Sequence, residues 1–352
     1  MNKIKIAIIF GGKSVEHEVS LQSAKNIIFA LDKNKYDIDC IEINKKGHWY
    51  VLGNASTFLV DTPSYTNLAL ILAQNKNFIK RNNFKKVVTY DVVFPILHGP
   101  FGEDGTIQGL LKLMNVPFVG ADVLGSAIGM AKDVTKRLLR EAHILTADFL
   151  IFNNEIDYLY IKRKFGLPFF VKPANLGSSV GVSKVNSRLE FKKAIKEAFQ
   201  FDTKILIEKY IKGREIECSV LGNENPIASL PGEVVVKKGF YSYEAKYLDP
   251  HAVTLKIPAE LPVRTIRQIQ QIAIKTYKTL CCEGMARVDF FLSHTGQIYV
   301  NEINTIPGFT NISMYPKLWE TSGISYSQLL DRLISLAIER YRRQDELKTS
   351  YV

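Results

Sequence analysis

Apolar strand-like runs alternate with helix-like periodicity over the first 120 residues, and this alternation restricts the fold more than any other feature of the sequence. The runs at 4–10, 36–43 and 91–97 predict strands. Apolar residues within 24–31 and 107–114 recur at i, i+3, i+4 and i+7, which is the spacing of amphipathic helices. Strands that alternate with helices are typical of an open parallel sheet, so this part of the chain is predicted to be α/β.

The length of 352 residues indicates two or three domains, since an ordinary domain holds about 100 to 200 residues. We place the first unit at 1–121, where the segment 117–120 predicts a short final strand. Two further units are placed at 122–212 and 213–352. The polar segment 61–85 shows neither period clearly, and we assign it a helix with loops.

The second and third units combine strand and helix signals. Strands are predicted at 169–173, 181–185, 204–210, 215–222 and 226–230, and helices with apolar periodicity at 134–142 and 266–277. Ser187 and Glu190 form the S-x-x-E pattern of a capping box, which predicts the start of a helix that ends near Phe201. The segment 237–256 is rich in Gly, Tyr and Lys and is predicted to be a loop.

The formal net charge of +11 is compatible with a nucleic-acid-binding protein, because the neutralisation of phosphates dominates that kind of binding. The lysines and arginines are spread along the chain, however, and their short runs are not interleaved with stacking aromatic residues. A basic surface suits a phosphorylated or carboxylated small substrate equally well. We therefore expect a small-molecule partner and no nucleic acid.

The sequence gives no sign of a membrane or an oxidising compartment. No apolar stretch approaches the roughly 18 residues of a membrane span. The apolar run near the N-terminus breaks at Gly11-Gly12 and is followed by charged residues, unlike a signal peptide. The four cysteines include no C-x-x-C pair, and adjacent residues such as Cys281-Cys282 rarely form a relaxed disulfide. We expect a cytoplasmic protein with reduced thiols.

The stretch MARVDFFLSHTGQIYVNEIN reads as a β-hairpin that carries polar side chains on one face. A two-residue loop at Thr295-Gly296, or a four-residue loop centred on it, pairs residues whose numbers sum to 591. Asp289 then faces Glu302, and Arg287 faces Asn304. Two carboxylates at opposed positions repel each other unless a positive charge lies between them. A divalent cation would supply that charge.

Asp289, Glu302 and Asn304 offer three hard oxygen ligands, which suit Mg²⁺ (or Mn²⁺) completed by water and substrate phosphates. No cluster of His or Cys competes for zinc. The structural alternative is that Arg287 neutralises both acids as a buried ion pair. The hairpin alone leaves both interpretations open.

A second polar feature is the loop in FFVKPANLGSSVGVSKV. Lys172 leaves a strand, and Gly177, Ser178, Ser179 and Gly181 follow in the loop to the next strand. Such a loop offers free backbone N–H groups and hydroxyls to a triphosphate. As an isolated pattern it is also an ordinary turn.

Six motifs occur in this order along the chain: GGKSVEHEVSL, HGPFGEDGTIQG, VKPANLGSSVGVSKV, EAKYLD, ARVDFFL and NEINTIPGFT. Together they resemble the D-alanine–D-alanine ligase family of ATP-grasp enzymes, over residues 1 to about 335. The resemblance implies a three-domain ATP-grasp architecture, with an N-terminal open parallel sheet and α+β structure in the ATP-binding part. It also implies that ATP phosphorylates one D-alanine and that the amine of a second attacks the acyl phosphate, giving a dipeptide for peptidoglycan synthesis.

By the same resemblance, Asp289, Glu302 and Asn304 hold two Mg²⁺ (or Mn²⁺) ions that bridge the phosphates, and Arg287 stabilises the oxyanion of the tetrahedral intermediate. The residues implied for ATP binding are Lys132, Lys172, Ser178, Ser179, Glu208, Lys209, Ile211, Glu215 and Lys246.

The resemblance also implies how the two D-alanines bind. Glu16 pairs with the ammonium of the first D-alanine and is linked through Ser178 to Tyr247. His98 is implied in positioning the same substrate, although a lone histidine is otherwise more often structural. The implied catalytic residues are Glu16, Ser178, Tyr247, Arg287 and Ser313, and the implied substrate-binding residues are Glu16, His98, Arg287, Gly308, Ser313 and Met314.

Relatives on the same fold provide the main alternative: another carboxylate-amine ligase, or a ligase that accepts D-lactate or D-serine second. Tyr247 favours an amine nucleophile, because the depsipeptide-forming relatives tend to carry phenylalanine or a different loop there. The resemblance also implies a homodimer. A basic nucleic-acid-binding protein is the alternative from another class, and no motif favours it.

Overall fold

The computed structural model describes residues 3–54, 66–70, 79–81, 87–153, 157–236, 253–348 and 350–351. Within these residues the chain forms three sheets with helices packed on them. No helix in this part of the chain is long and apolar enough to cross a membrane. The expected loop residues Lys246 and Tyr247 lie outside the described residues.

The N-terminal sheet contains the predicted parallel strands and extends beyond them. Its strands are β1 (Ile4–Gly11), β2 (Tyr36–Ile43), β3 (Trp49–Asn54), β4 (Thr66–Leu70), β5 (Ile79–Arg81), β6 (Val87–Val88) and β7 (Val92–Ile96). The order is β6-β5-β4-β3-β2-β1-β7, in which β1 pairs in parallel with β2 and β7 and the other neighbours are antiparallel. The parallel centre and the α/β class are therefore confirmed.

Two local predictions for this unit are wrong. The segment 61–85 was expected to hold a helix, but it contains β4 and β5, which extend the sheet by pairing beyond β3. The segment 117–120 is not a strand, because only a single bridge joins Phe118 to Val93. In both cases backbone pairing with the existing sheet edge, which local periodicity does not encode, decided the structure.

Three helices follow the central strands β1 and β7 along the chain. They are α1 (His17–Ala30), α2 (Thr106–Leu113) and α3 (Val123–Met130). Ala24, Ile27 and Ile28 on α1 are buried against the sheet, as the helical spacing predicted. Gly105 precedes α2 in the left-handed region, with φ of 93°, where glycine avoids a steric penalty.

The second unit is a four-stranded antiparallel sheet with helices around it. Its strands are β8 (Phe149–Phe152), β9 (Phe169–Pro173), β10 (Ser183–Val185) and β11 (Ile205–Lys209), in the order β10-β9-β11-β8. Its helices are α4 (Lys132–Glu141), α5 (Tyr158–Phe165) and α6 (Arg188–Ala198). The Ser187 hydroxyl accepts a hydrogen bond from the Glu190 N–H and so caps α6, whereas the Glu190 carboxylate bonds to the Asn186 N–H. The predicted cap is confirmed, with its return bond shifted by one residue.

The third unit is built on the sheet β15-β14-β12-β16-β17, with β13 also paired to β12. Its strands are β12 (Gly213–Gly222), β13 (Ile227–Ala228), β14 (Gly232–Val236), β15 (Val253–Lys256), β16 (Gly284–Ser293) and β17 (Ile298–Asn304). The helix α7 (Val263–Thr279) packs on one face through Ile269, Ala273 and Tyr277, as predicted. The end of the expected loop 237–256 is strand β15, because it pairs with β14.

The last two helices join the third unit to the first. These are α8 (Met314–Thr321) and α9 (Tyr326–Asp345), and Trp319 and Leu330 share a core with Ile8 and Phe94 of the N-terminal sheet. The buried guanidinium of Arg340 donates hydrogen bonds to the carbonyls of Phe118 and Gly120. The C-terminal chain therefore holds the polar strands of the third unit close to the first unit.

Candidate active site

The hairpin β16–β17 brings the predicted acid and amide together. Asp289 pairs with Glu302 and Arg287 with Asn304, as predicted. Along β16 every second residue from Val288 onward is buried, so the polar residues share the opposite face. The predicted turn is wrong, however. It is a three-residue loop, since the Ser293 N–H bonds to the Gln297 carbonyl.

A β-bulge restores the predicted pairing of the polar residues. Near the turn Phe290 pairs with Val300, one residue out of the predicted register, and the register shifts between Asp289 and Phe290. Asn301 is the extra residue of β17 at this point. Bulges commonly re-aim side chains beside active sites, and this one lies directly before Glu302.

A third carboxylate lies in the same row across the sheet. Glu217 on β12 pairs with Asp289 on β16, which pairs with Glu302 on β17. Glu217 was not predicted from the sequence, although Glu215 and Glu217 alternate along a buried strand just as Glu302 and Asn304 do. An acid within a predicted buried strand was the signal that could have identified Glu217.

The Arg287 guanidinium lies inside this row of acids. It donates two hydrogen bonds of 2.7 Å to the two oxygens of Asp289, and its Nε lies 2.9 Å from Glu217. The Asn304 amide also donates to Asp289, at 3.0 Å. The arginine ion pair that the sequence left open therefore exists for Asp289. For Glu302, the Lys132 ammonium lies 3.5 Å from its carboxylate.

The donors of this row fit a hard divalent cation. Asp289 and Glu302 supply carboxylate oxygens at opposed positions, and Asn304 supplies an amide beside them. Among the described residues no group of three or more His, Cys, Asp or Glu side chains is arranged as a metal cluster. The predicted set needs only two acids, so its chemistry suits Mg²⁺ with further ligands from water and phosphate.

A cleft of about 350 Å³ lies between the sheets of the second and third units. Nine of the predicted residues line it: Lys132, Lys172, Ser179, Glu208, Lys209, Ile211, Glu215, Asp289 and Glu302. The partly exposed apolar side chains of Phe170, Val182 and Phe291 form apolar walls beside them. The predicted phosphate-binding and metal-binding residues thus share one cavity, at the size and polarity expected of a small-molecule site.

Glu208 is held between two ammonium groups at the inner end of the cleft. Its carboxylate lies 2.6 Å from Lys172 and 2.8 Å from Lys136, and all three side chains are buried. Burial alone would raise the pKa of Glu208, but the two lysines hold it below its ordinary value. Burial also lowers the pKa of Lys136 to about 8. Lys136 was not predicted from the sequence.

The loop after β9 joins the cleft to the first unit. The Ser178 hydroxyl donates a hydrogen bond to the carboxylate of Glu16, which precedes α1 at the end of β1. Ser178 and Ser179 both lie in the left-handed region, with φ of 51° and 59°. Such consecutive non-glycine residues are strained, and strain of this kind concentrates at functional sites. At the start of α4, Lys132 donates to the Leu176 carbonyl of the same loop at 2.7 Å.

His98 and Glu103 contact the chain that follows β17. His98 is buried, and its Nδ1 donates to the Ile306 carbonyl at 3.1 Å while its Nε2 lies 3.5 Å from the Ser23 hydroxyl. Burial lowers the pKa of His98, which favours the neutral ring. Loss of hydration and the nearby Glu16 raise the pKa of Glu103 to about 8, although the Gly99 N–H bonds to its carboxylate.

The residues predicted for the second substrate lie just beyond this contact. The Thr310 N–H and hydroxyl bond to the Ser313 hydroxyl at 2.9 and 2.8 Å. A Cβ at Gly308 would lie 2.7 Å from the same hydroxyl, so glycine permits the close approach. The Met314 side chain is buried against Leu318. The structure therefore places Ser313 and Gly308 together and Met314 in the adjoining core.

Two family models match the chain over most of its length. The family model for the D-ala D-ala ligase N-terminus matches residues 5–121, and that for the C-terminus matches residues 138–335. The chain belongs to the D-alanine–D-alanine ligase family. Its fold is accordingly the ATP-grasp architecture that the sequence motifs implied.

The similarity extends over whole chains. The D-alanine–D-alanine ligase of Shouchella clausii is 53% identical, with 99% of each chain covered. D-alanine–D-alanine ligase A of Escherichia coli K12 is 49% identical, with 99% of this chain and all of the relative covered. Among solved structures, the D-alanine–D-alanine ligase of Coxiella burnetii has a TM-score of 0.89 at 43% identity, covering 98% of this chain and 97% of its own.

One structural neighbour differs in its second substrate. The VanG D-Ala:D-Ser ligase of Enterococcus faecalis has a TM-score of 0.87 at 37% identity, covering 96% of this chain and 100% of its own. Ligases with different second substrates therefore share this fold, and the fold alone does not determine the substrate.

Proposed function

We propose that this protein ligates two D-alanines to D-alanyl-D-alanine: ATP phosphorylates the carboxylate of the first D-alanine and leaves as ADP, and the amine of the second then attacks the acyl phosphate and displaces phosphate. The observation that carries the proposal is the single cleft that joins Lys132 and Lys172 to the acids Asp289 and Glu302. Full-length similarity to D-alanine–D-alanine ligases at about half identity supports the same reaction.

Within this proposal, the cleft binds ATP with its base against the apolar walls and its phosphates toward Lys132 and Lys172. The Glu208–Ile211 backbone and side chains take the base, Glu215 takes the ribose, and Ser178, Ser179 and Lys246 complete the phosphate site. Asp289, Glu302 and Asn304 hold two Mg²⁺ or Mn²⁺ ions. When bound, these ions neutralise charge on the transferred phosphoryl group.

The substrates occupy the end of the cleft nearest the first unit. The Glu16 carboxylate pairs with the ammonium of the first D-alanine, and the Ser178 hydroxyl holds that carboxylate in place. The buried contact of His98 with Ile306 positions the backbone that leads to Gly308 and Ser313. These two residues receive the second D-alanine, with Met314 supporting them from the core.

Arg287 stabilises the oxyanion that forms when the amine attacks. Its guanidinium already lies at the polar face of β16, held by Asp289 and Glu217. A fixed cation in a partly water-excluded site stabilises developing negative charge without reorganisation. Tyr247, from the loop outside the described residues, is proposed to complete a chain with Ser178 and Glu16.

The alternative second substrates are D-serine and D-lactate. The similarity to a D-Ala:D-Ser ligase supports testing D-serine, whereas the tyrosine at 247 favours an amine over the hydroxyl of D-lactate. We also propose the wider context that the family implies: three units at 1–121, 122–212 and 213–352, a cytoplasmic homodimer, and a role in peptidoglycan precursor synthesis.

The proposal is tested by incubating the protein with ATP, Mg²⁺ and D-alanine, and measuring phosphate release together with dipeptide formation. D-serine, D-lactate and L-alanine are run in parallel as second substrates beside D-alanine. We expect D-alanyl-D-alanine as the main product. Phosphate release without dipeptide, or a preferred product from D-serine or D-lactate, would require another member of the ligase family.

A further inference from the structure

Lys136 is a buried charge that the proposed reaction does not yet use. Its side chain has no exposed surface, and its ammonium bridges the Glu208 carboxylate at 2.8 Å and the Thr146 hydroxyl at 2.7 Å. Buried ion pairs contribute little net stability compared with well-packed apolar residues of the same size. A lysine at such a position is therefore a candidate for a role beyond stability.

Lys136 and Lys172 both contact Glu208, but they differ in their position relative to the cleft. Lys172 lines the cleft, whereas Lys136 lies behind Glu208, on helix α4, and does not line it. Lys132, one helical turn earlier on α4, does line the cleft. The same helix thus delivers one ammonium to the phosphate end of the cleft and another to the rear of Glu208.

The two lysines respond differently when a triphosphate enters the cleft. Lys172 is accessible to the phosphates, so its attraction to Glu208 is shared with the nucleotide. Lys136 does not line the cleft, so a nucleotide bound there would leave its contact with Glu208 intact. It therefore keeps the carboxylate ionised and fixed in orientation in the bound state as well.

An ionised carboxylate only accepts hydrogen bonds. Adenine presents an exocyclic amine that donates, whereas hypoxanthine presents a carbonyl oxygen at the same ring position. An ionised Glu208 that faces this ring position therefore attracts the exocyclic amine of adenine and repels the carbonyl oxygen of hypoxanthine. A protonated Glu208 would donate its O–H to that carbonyl and would lose this discrimination.

We propose that Lys136, oriented by Thr146, is a positioning residue that sets the selectivity for adenine by holding Glu208 as an ionised acceptor. The proposal rests on the proposed use of the cleft for ATP. It concerns the base of the nucleotide and involves neither the metal nor the D-alanine site.

The test compares ATP with ITP, which differ only in the hypoxanthine base. We expect Lys136→Met to lower the ratio of kcat/KM for ATP to that for ITP by about 10- to 100-fold, mainly through KM for the nucleotide. Thr146→Val changes no charge and little volume, and we expect a smaller fall of about two- to fivefold in the same ratio. If neither variant changes the ratio, Lys136 is a structural ion pair and the proposal is overturned.

Lys204→Met is the matched control. Lys204 pairs with Asp133, a buried acid on the same helix α4, at 2.7 Å, and it does not line the cleft. It should lower the melting temperature without changing the ratio for the two nucleotides. A ratio that falls equally in this control would show that loosening α4 is sufficient, and would reject a specific role for Lys136.

A double-mutant cycle establishes whether Lys136 acts through Glu208. In the Glu208→Gln background, Lys136→Met should produce no further loss of selectivity, because the carboxylate that it holds is gone. Independent, multiplicative losses would overturn the proposal. Affinities for ADP and IDP, measured by calorimetry without D-alanine, give the same comparison without turnover. A wild type that prefers ADP but forms no dipeptide would therefore refute the proposed reaction and not the role of Lys136.

Discussion

Substitutions at Asp289 and at Glu302 distinguish metal binding from a structural ion pair. In the metal-free protein, Asp289 accepts two hydrogen bonds from Arg287 and one from Asn304. Asp289→Asn places an amide donor against these donors. We expect a cost of about 3 kcal/mol, the low end for breaking a buried pair, because the two side chains keep 17% and 13% exposure.

Glu302→Gln should have a much smaller effect in the absence of metal. The carboxylate lies 3.5 Å from the Lys132 ammonium, and Lys132 keeps its hydrogen bond to the Leu176 carbonyl when the charge is removed. The two pairs are similarly buried, but this one is a single contact at 3.5 Å and not a bidentate pair at 2.7 Å, so we expect the loss of its charge to cost only about 1 kcal/mol. The melting temperatures measured in EDTA should therefore rank wild type first, Glu302→Gln close below it, and Asp289→Asn clearly lowest.

Addition of Mg²⁺ with ADP should give a different ranking. A ligand at 100 times its Kd stabilises the wild type by about 2.7 kcal/mol, and both variants should lose most of this gain because each lacks a charged oxygen ligand. Differential scanning fluorimetry with EDTA, with Mg²⁺ and with Mg²⁺–ADP measures all three conditions. Turnover should fall at least about 100-fold in both variants, as expected when phosphate charge is no longer neutralised.

Asp331→Asn is the matched control, because it removes an acid that pairs with Lys35 and Tyr36 far from the cleft. It should change the metal-free melting temperature slightly and leave the Mg²⁺–ADP response intact. Full Mg²⁺–ADP stabilisation and turnover in Glu302→Gln would remove Glu302 from the metal site. Equal melting temperatures for the two site variants in EDTA would refute the energetic role given to the Arg287–Asp289 pair.

Three further changes test other parts of the site. Tyr247→Phe should keep dipeptide synthesis and gain D-alanyl-D-lactate synthesis near neutral pH, which product analysis with both second substrates would reveal; a variant that makes no depsipeptide at any pH would reassign the selection to other residues. Glu103, with its pKa raised to about 8, is protonated in the folded state where the unfolded chain is ionised, so its contribution makes stability fall as pH rises from about 4.5 to 8. Glu103→Gln should therefore flatten the change of melting temperature over this window, and an unchanged slope would contradict the assignment. Deletion of Asn301 removes the bulge but leaves Asp289 opposite Glu302, so we expect a folded protein with a weakened Mg²⁺–ADP response; a full response would show that the bulge does not aim Glu302.

The sequence predicted the elements that depend on local spacing and missed those that depend on pairing with a distant edge. The helical period of α1 and the apolar face of α7 follow from the chain itself. The strands β4 and β5 exist because β3 offers an edge, and no residue of 61–85 encodes that edge. The same limit applies to Lys136. Its place in α4 was predictable, but its burial depends on Glu208, which lies 72 positions further along the chain.

Glu217 was also not predicted, although the sequence contained a signal for it. It alternates with buried residues in β12, and a buried acid in a strand was the reason to single out Glu302. The sequence did not show which residue pairs with Glu217. Arg287 approaches Glu217 only because β16 pairs with β12, and this neighbouring of strands is a property of the sheet.

The pairing of Asp289 with Glu302 was predicted correctly from a turn that was wrong. The three-residue loop reduces the sum of paired residue numbers from 591 to 590, as in the pair of Phe291 with Tyr299, and the bulge at Asn301 restores it to 591. Without the bulge, this loop would place Asp289 opposite Asn301 and move Glu302 to the other face of the strand. The turn and the bulge therefore set the register of the polar residues together. The turn suits the local residues, with Gly296 at a φ of 80°, and the bulge returns the carboxylate to the face where Arg287 and Lys132 lie.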